Sequence, residues 1–173
     1  MKQNPKEQEQ KFIEAFNQYS DALFRHSFFR VSNRQVSIDL VQDAFTKTWV
    51  QITRGESVEN FQAYLYHVLN NLIIDYYRKK KSVSLDVLSD DGFDPAGTGE
   101  EEIVANAERG QLMKHLETLG DRDREVVIMR YVDGLQVKQI VQVLGESENG
   151  VSVRLHRAVK KLTSLFDTHG KGN

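Results

Sequence analysis

The longest segments of this chain place their apolar residues at helical spacing. Phe61, Leu65, Val68, Leu72 and Tyr76 form one line, widened by Tyr64, Leu69 and Ile73. Residues three and four apart share one face of an α-helix, so this pattern predicts a long amphipathic helix. Phe12, Phe16, Tyr19 and Leu23 predict another. After a polar break at Asn33 to Gln35, a second helix is expected from Val36 to Thr53. Its stripe is Ile38, Val41, Phe45, Thr48 and Ile52, with Leu40 and Trp49 to one side. Gly55 is placed to stop it. Only two prolines interrupt 173 residues, and the expected fold is all-α.

Charge divides the chain. Residues 1–81 carry 12 basic and 9 acidic side chains, a charge of +3. Residues 82–108 carry eight acids and no Lys or Arg, and residues 109–173 carry 11 basic and 8 acidic side chains, again +3. An acidic stretch containing Asp90-Asp91-Gly92-Phe93-Asp94-Pro95 breaks both helix and strand and buries too little apolar surface to fold by itself. The expected organisation is therefore two small helical domains, 1–81 and 101–173, joined by a flexible acidic linker at 82–100.

The C-terminal part predicts four helices. The first runs to Thr118 with Ile103, Ala107, Leu112, Leu116 and Leu119 inward. The second is capped by Asp121 and carries Val126, Val127, Met129 and Tyr131. A short helix then spans Leu135 to Leu144, and Gly145-Glu146-Ser147 leads into the last. A short helix, a three-residue turn with glycine and an amphipathic helix form the helix-turn-helix pattern, with Ser147 as the N-cap. On the last helix Val151, Leu155, Ala158, Leu162 and Leu165 share one face. The opposite face presents Asn149, Val153, His156, Arg157 and Lys160, flanked by Ser152, Arg154 and Lys161. Every charged residue from 152 to 161 is basic, which suits a helix that enters the DNA major groove. An ordinary bundle helix with a solvated face is the alternative.

Composition removes whole classes of chemistry. Without cysteine there is no disulfide framework, thiolate zinc site or cysteine nucleophile. No apolar run is long enough to cross a membrane, and the polar N-terminus shows no secretory signal, so a cytoplasmic location is expected. The five histidines, His26, His67, His115, His156 and His169, form no metal or triad pattern. No metal, no cofactor and no enzymatic activity are expected.

The chain resembles extracytoplasmic-function (group 4) sigma factors of bacterial RNA polymerase, of the sigma-70 family. In the N-terminal half the resemblance lies in Asp39 to Trp49 and in Phe61 to Arg78. In the C-terminal half it lies in Arg124 to Val127, Arg130-Tyr131, Gly134-Leu135 and Val151 to Ala158. It implies that residues 1–81 form region 2, a three-helix bundle, and residues 101–173 form region 4, with four helices. The implied partners are core RNA polymerase (the clamp helices of its largest subunit and the flap of the second-largest), promoter DNA and an anti-sigma factor. Polymerase binding is implied for Leu40, Gln42, Asp43, Phe45, Lys47 and Trp49. Recognition and melting of the −10 element is implied for Glu59, Asn60, Tyr64, Tyr66, His67, Asn70 and Asn71. The residues themselves give Tyr77, Arg78, Lys79 and Lys80 two readings: a patch that meets phosphates and bases beside that element, or a helix C-terminus whose basic side chains favour the dipole. Reading of the −35 element is implied for Ser152, Val153, His156 and Arg157, and the helical wheel adds Asn149, Arg154 and Lys160 to the same DNA-facing surface. Gly150 and Ser152 stand where the family usually carries Thr and Lys, which removes one expected phosphate contact.

If each half neutralises about three phosphates, its salt slope is only about −2.7. Free binding is then poor, and a polymerase holding both halves over one promoter supplies the missing affinity. Two other readings fit parts of the chain: a sigma-like regulator that occupies polymerase without initiating, and a stand-alone helix-turn-helix regulator.

Overall fold

The computed structural model describes residues 5–83 and 110–169. Most of the predicted linker, with Ile103 and Ala107, lies outside these residues. The N-terminal half is a bundle of three helices, α1 (Pro5–Val31), α2 (Arg34–Thr53) and α3 (Phe61–Val83). A two-residue joint turns the chain between the first two. Ser32 takes a left-handed backbone with φ 56°, and the Asn33 side chain caps α2 by accepting from the Val36 N–H at 2.9 Å. Gly55, at φ 84°, ends α2 where the sequence placed the stop. The following loop is tied to α1, because the Val58 N–H donates to the buried Gln8 side chain at 3.1 Å. Leu23, Ala44, Leu65, Leu69 and Ile73 are fully buried between the three helices. Each of the large side chains contributes about 1.5–3 kcal/mol on leaving water.

The C-terminal half holds α4 (residues 110–117), α5 (Asp121–Val127), α6 (Val137–Leu144) and α7 (Glu148–His169). α5 runs on into a π-helical turn, Ile128–Val132. A π turn accommodates one residue more than an α turn, and here the Asp133 N–H reaches the Ile128 carbonyl at 3.0 Å. α5 packs on α7, and Val126, Ile128, Met129, Ile140, Val151 and Ala158 form the core. All described residues with regular structure are helical.

Several sequence expectations are corrected. Asp121 does not cap α5; Gly120 occupies the cap position and Asp121 begins the helix. Met113 turns inward on α4 while Leu112 faces outward. Tyr131 is 65% exposed, because the wider π turn rotates it off the line drawn at 100° per residue. Ile38 and Phe16 also face outward.

The two halves are packed on one another. α6 lies on α3, and the π turn lies on α1. Gln139 Nε2 donates to Gln62 Oε1 at 2.8 Å, and Asn60 Nδ2 donates to Gln142 Oε1 at 3.0 Å. The buried apolar residues of both halves join in one cluster.

Candidate functional site

Three surfaces answer to the residues singled out by the sequence. The first is an open groove of about 750 Å³ between α1 and α2. Its floor is aromatic. Phe12 meets Phe45 edge-on at 6.0 Å and Trp49 at 5.1 Å, and Phe16 meets Phe45 at 4.9 Å. Such pairs hold each other's rotamers, which preorganises the wall. Phe16 and Ile13 are 49% and 47% exposed along it, an apolar strip that a lone soluble bundle rarely leaves open. Gln42 lines the same groove, while Asp43 and Lys47 are exposed elsewhere on α2. Leu40 is different. It is buried in the bundle core, so it supports α2 and does not line the groove. Ile13, Phe16 and Ile38 were not singled out as site residues. Their spacing is that of a core stripe, and periodicity cannot tell a stripe that meets another helix from one that stays open.

The second surface is α7. Its apolar face is buried at Val151, Leu155 and Ala158, and its opposite face is open at Asn149, Ser152, Val153, His156, Arg157 and Lys160. The helix starts as the sequence predicts, with the Gly150 N–H donating to Ser147 Oγ at 3.1 Å. Gly150 also has a packing reason: a Cβ there would stand 3.0 Å from that hydroxyl. Gly145 ends α6 at φ 65°, a left-handed conformation that favours glycine. Arg154 is held across the turn. Its two terminal nitrogens donate to the two oxygens of Glu146 at 2.9 and 2.8 Å, a bidentate pair that fixes α7 against the turn.

The third surface is α3, and here the geometry departs from a plain solvated face. Glu59, His67 and Asn71 are exposed, as are Arg78, Lys79 and Lys80. Asn60 caps α3, its Oδ1 accepting from the Ala63 N–H at 3.0 Å. Asn71 lies 3.2 Å from His67 Nε2. Tyr64 and His67 face Gln142 to Gly145 of the other half across a cleft of about 390 Å³. Tyr66 and Asn70, expected on the outer face, are buried at 1% and 5% exposure. The covering groups are His26 of α1 and Asp133 after the π turn. His26 Nδ1 is 2.7 Å from Asp133 Oδ2, and Nε2 is 3.0 Å from Asn70 Oδ1. Tyr66 stands edge-on to the His26 ring at 5.2 Å. Beside them Arg30 pairs with Glu125 at 3.4 Å and accepts the Tyr77 hydroxyl proton on its carbonyl.

Burial pushes the Tyr66 phenol well above its ordinary value, and the nearby Asp133 charge adds to the shift. Tyr77 is raised chiefly by burial too. Among the described residues Asn70 Nδ2 is buried without a hydrogen-bond partner, which costs about 1–3 kcal/mol.

Two family models match the chain. The family model "Sigma-70 region 2" matches residues 15–83, and "Sigma-70, region 4" matches residues 109–162. The chain is 26% identical to the RNA polymerase sigma factor SigV of Bacillus subtilis, over 86% of each chain. It is also 26% identical to the ECF RNA polymerase sigma factor SigW of the same organism, over 94% of this chain and 92% of that one. Among solved structures, the sigma factor RpoE of Bartonella quintana, determined with the anti-sigma factor NepR, superposes with a TM-score of 0.70 at 22% identity, covering 91% of this chain and 97% of that one. CnrH, determined with the cytosolic domain of CnrY, gives the same score and identity over 92% and 90%.

Proposed function

The chain belongs to the sigma-70 family, in its extracytoplasmic-function branch, and on that premise we propose that it binds core RNA polymerase and directs it to promoters. One observation carries the reading: a single chain presents an open aromatic groove on α1 and α2 and a basic face on the second helix of a helix-turn-helix. The groove takes the helices of the polymerase clamp, gripped by Phe45 and Trp49 and bordered by Gln42, with Asp43 and Lys47 as charged contacts on α2. Residues 1–81 form the polymerase-binding and −10 unit, 82–100 the linker, and 101–173 the −35 unit. An anti-sigma polypeptide competes for these same surfaces.

The action is binding and strand opening, without covalent chemistry. Tyr64 and the amides Asn60 and Asn71 hold unstacked bases, an aromatic stack contributing about 1–3 kcal/mol. Arg78, Lys79 and Lys80 meet phosphates. No described helix is long and apolar enough to cross a membrane. The protein works in the cytoplasm beside the chromosome.

The test uses purified core polymerase. The chain should be retained by core in a pull-down and should support run-off transcription from selected promoters. Trp49→Ala, which opens the groove floor, should weaken retention tenfold or more, as loss of a buried aromatic anchor does. Retention equal to wild type would overturn the groove assignment. Retention without run-off would favour a regulator that occupies polymerase without initiating.

A further inference from the structure

We propose that Gln8 is a positioning residue for −10 recognition: from the first turns of α1 it holds the loop between α2 and α3 at Val58, so that Glu59 and Asn60 meet DNA in one fixed geometry. The inference rests on the base-holding role proposed above for Asn60.

The loop is pinned at one residue. From Arg54 to Asn60 only Val58 is buried, at 5% exposure, while Ser57 and Glu59 on either side face solvent. Gly55 opens the loop in a left-handed backbone, and Gln51 Nε2 donates to the Glu56 carboxylate across that opening. Asn60 closes it as the cap of α3. Between those ends Val58 ties the loop to the bundle. Its side chain enters the core, and its N–H donates to Gln8 Oε1 at 3.1 Å. A buried N–H needs an acceptor, and here a side chain 50 residues away supplies it.

Gln8 stands apart from its neighbours. It is 3% exposed in a polar run whose other members, Lys6, Glu7, Glu9 and Gln10, face solvent. It shares the inner face of α1 with Phe12, Ala15, Tyr19 and Leu23. An amide on that face costs free energy unless it is hydrogen-bonded, so its oxygen has a specific use there. The segment matched to region 2 starts at residue 15, and Gln8 belongs to the turns of α1 ahead of it. Asn60 shows what the anchor protects. Its Oδ1 is taken by the cap, so Nδ2 points outward as a donor, here to Gln142. A base must present an acceptor to meet it. Such a donor discriminates only while its direction is fixed, because a hydrogen bond weakens steeply as it bends. With Val58 released, Glu59 and Asn60 can swivel, and more than one base finds a partner.

The experiment measures choice and not amount. Holoenzyme reconstituted from core and the full chain transcribes a promoter selected with wild type, and versions of it changed at single positions of the −10 or −35 element. Gln8→Met keeps the length of the side chain and removes the accepting oxygen. It should lower the preference for the best over the worst −10 base about fivefold or more, the scale of one good base contact. Preferences at −35 and retention by core should stay at wild-type level. In the free protein the Val58 N–H should exchange with solvent about tenfold faster, as a locally opened amide does. A residue that only stabilises the fold changes the amount of active protein and lowers transcription from every promoter alike. Parallel loss across −10 and −35 variants would therefore overturn the proposal. So would −10 preferences equal to wild type, or a Val58 N–H as protected as in wild type. If Gln8→Met loses helix content by circular dichroism, Gln8→Ala, which lets water reach the Val58 N–H, is judged by the same ratios. A wild-type holoenzyme indifferent to every −10 base would defeat the reading of Asn60 and the role of Gln8 with it. A selective wild type with an equally selective variant would defeat the role of Gln8 alone.

Discussion

Arg154 and Arg157 lie one turn apart on α7 and have different surroundings. Arg157 stands on the open face, with its guanidinium available to a guanine edge or a phosphate. Arg154 is already committed to Glu146 in a two-point contact. Arg157→Ala should therefore reduce −35-dependent transcription by about tenfold or more, since a bidentate base contact is worth about 1–3 kcal/mol, while retention by core stays at wild-type level. Arg154→Ala should instead lower the melting temperature by the equivalent of about 1 kcal/mol, because its pair is only partly screened from solvent. If the two variants lose transcription equally with equal stability, Arg154 reads DNA as well. The helical wheel found the face that holds Arg157 because a period resolves direction. It could not find Glu146, which precedes the helix and returns to it only through the turn. Leu40 failed for the opposite reason: it sits in a motif of contact residues, yet α2 needs it for its own packing.

The start of α7 was readable in detail. Ser147 was expected as the cap and is the cap, and Asn33 and Gly55 bracket α2 as a polar break and a stop should. Caps are chemistry between neighbours, so local sequence encodes them. Removing one has a local signature: Ser147→Ala should cost about 1 kcal/mol, seen as a lower melting temperature. It should also loosen α7 on the duplex without altering retention by core. A melting temperature equal to wild type would mean that the backbone of the turn, and not the hydroxyl, sets the start of the helix. Faces were less readable than ends. Phe16 and Ile38 carry the spacing of core residues but border the groove, and Tyr66 and Asn70 carry the spacing of an outer face but are buried. In each case the deciding partner comes from another element, which periodicity within one helix does not contain. The −10 assignments of Asn60, His67 and Asn71 rest on the family resemblance, and the transcription assays test them.

At the level of the whole molecule, the buried phenols give the folded state a pH dependence. Tyr66 and Tyr77 are raised, so the folded protein keeps protons that an unfolded chain gives up near the ordinary phenol value of about 10. The stability they contribute is complete below that pH and is lost as pH climbs beyond it. An alkaline titration followed by tyrosinate absorbance compares wild type with Tyr66→Phe. Wild type should show a late-ionising phenol that the variant lacks. Identical late phases in the two proteins would contradict the burial of Tyr66.

The π turn at Ile128–Val132 gives the contact between the halves a further property. Each residue added to or removed from a helix rotates everything beyond it by about 100°. Asp133 meets His26 only because five residues fill the widened turn. Removing one of them would swing that carboxylate away from the ring and turn α6 away from α3 with it. Whether the two halves meet is thus a matter of helix phase, which one residue can change with no change of side-chain repertoire.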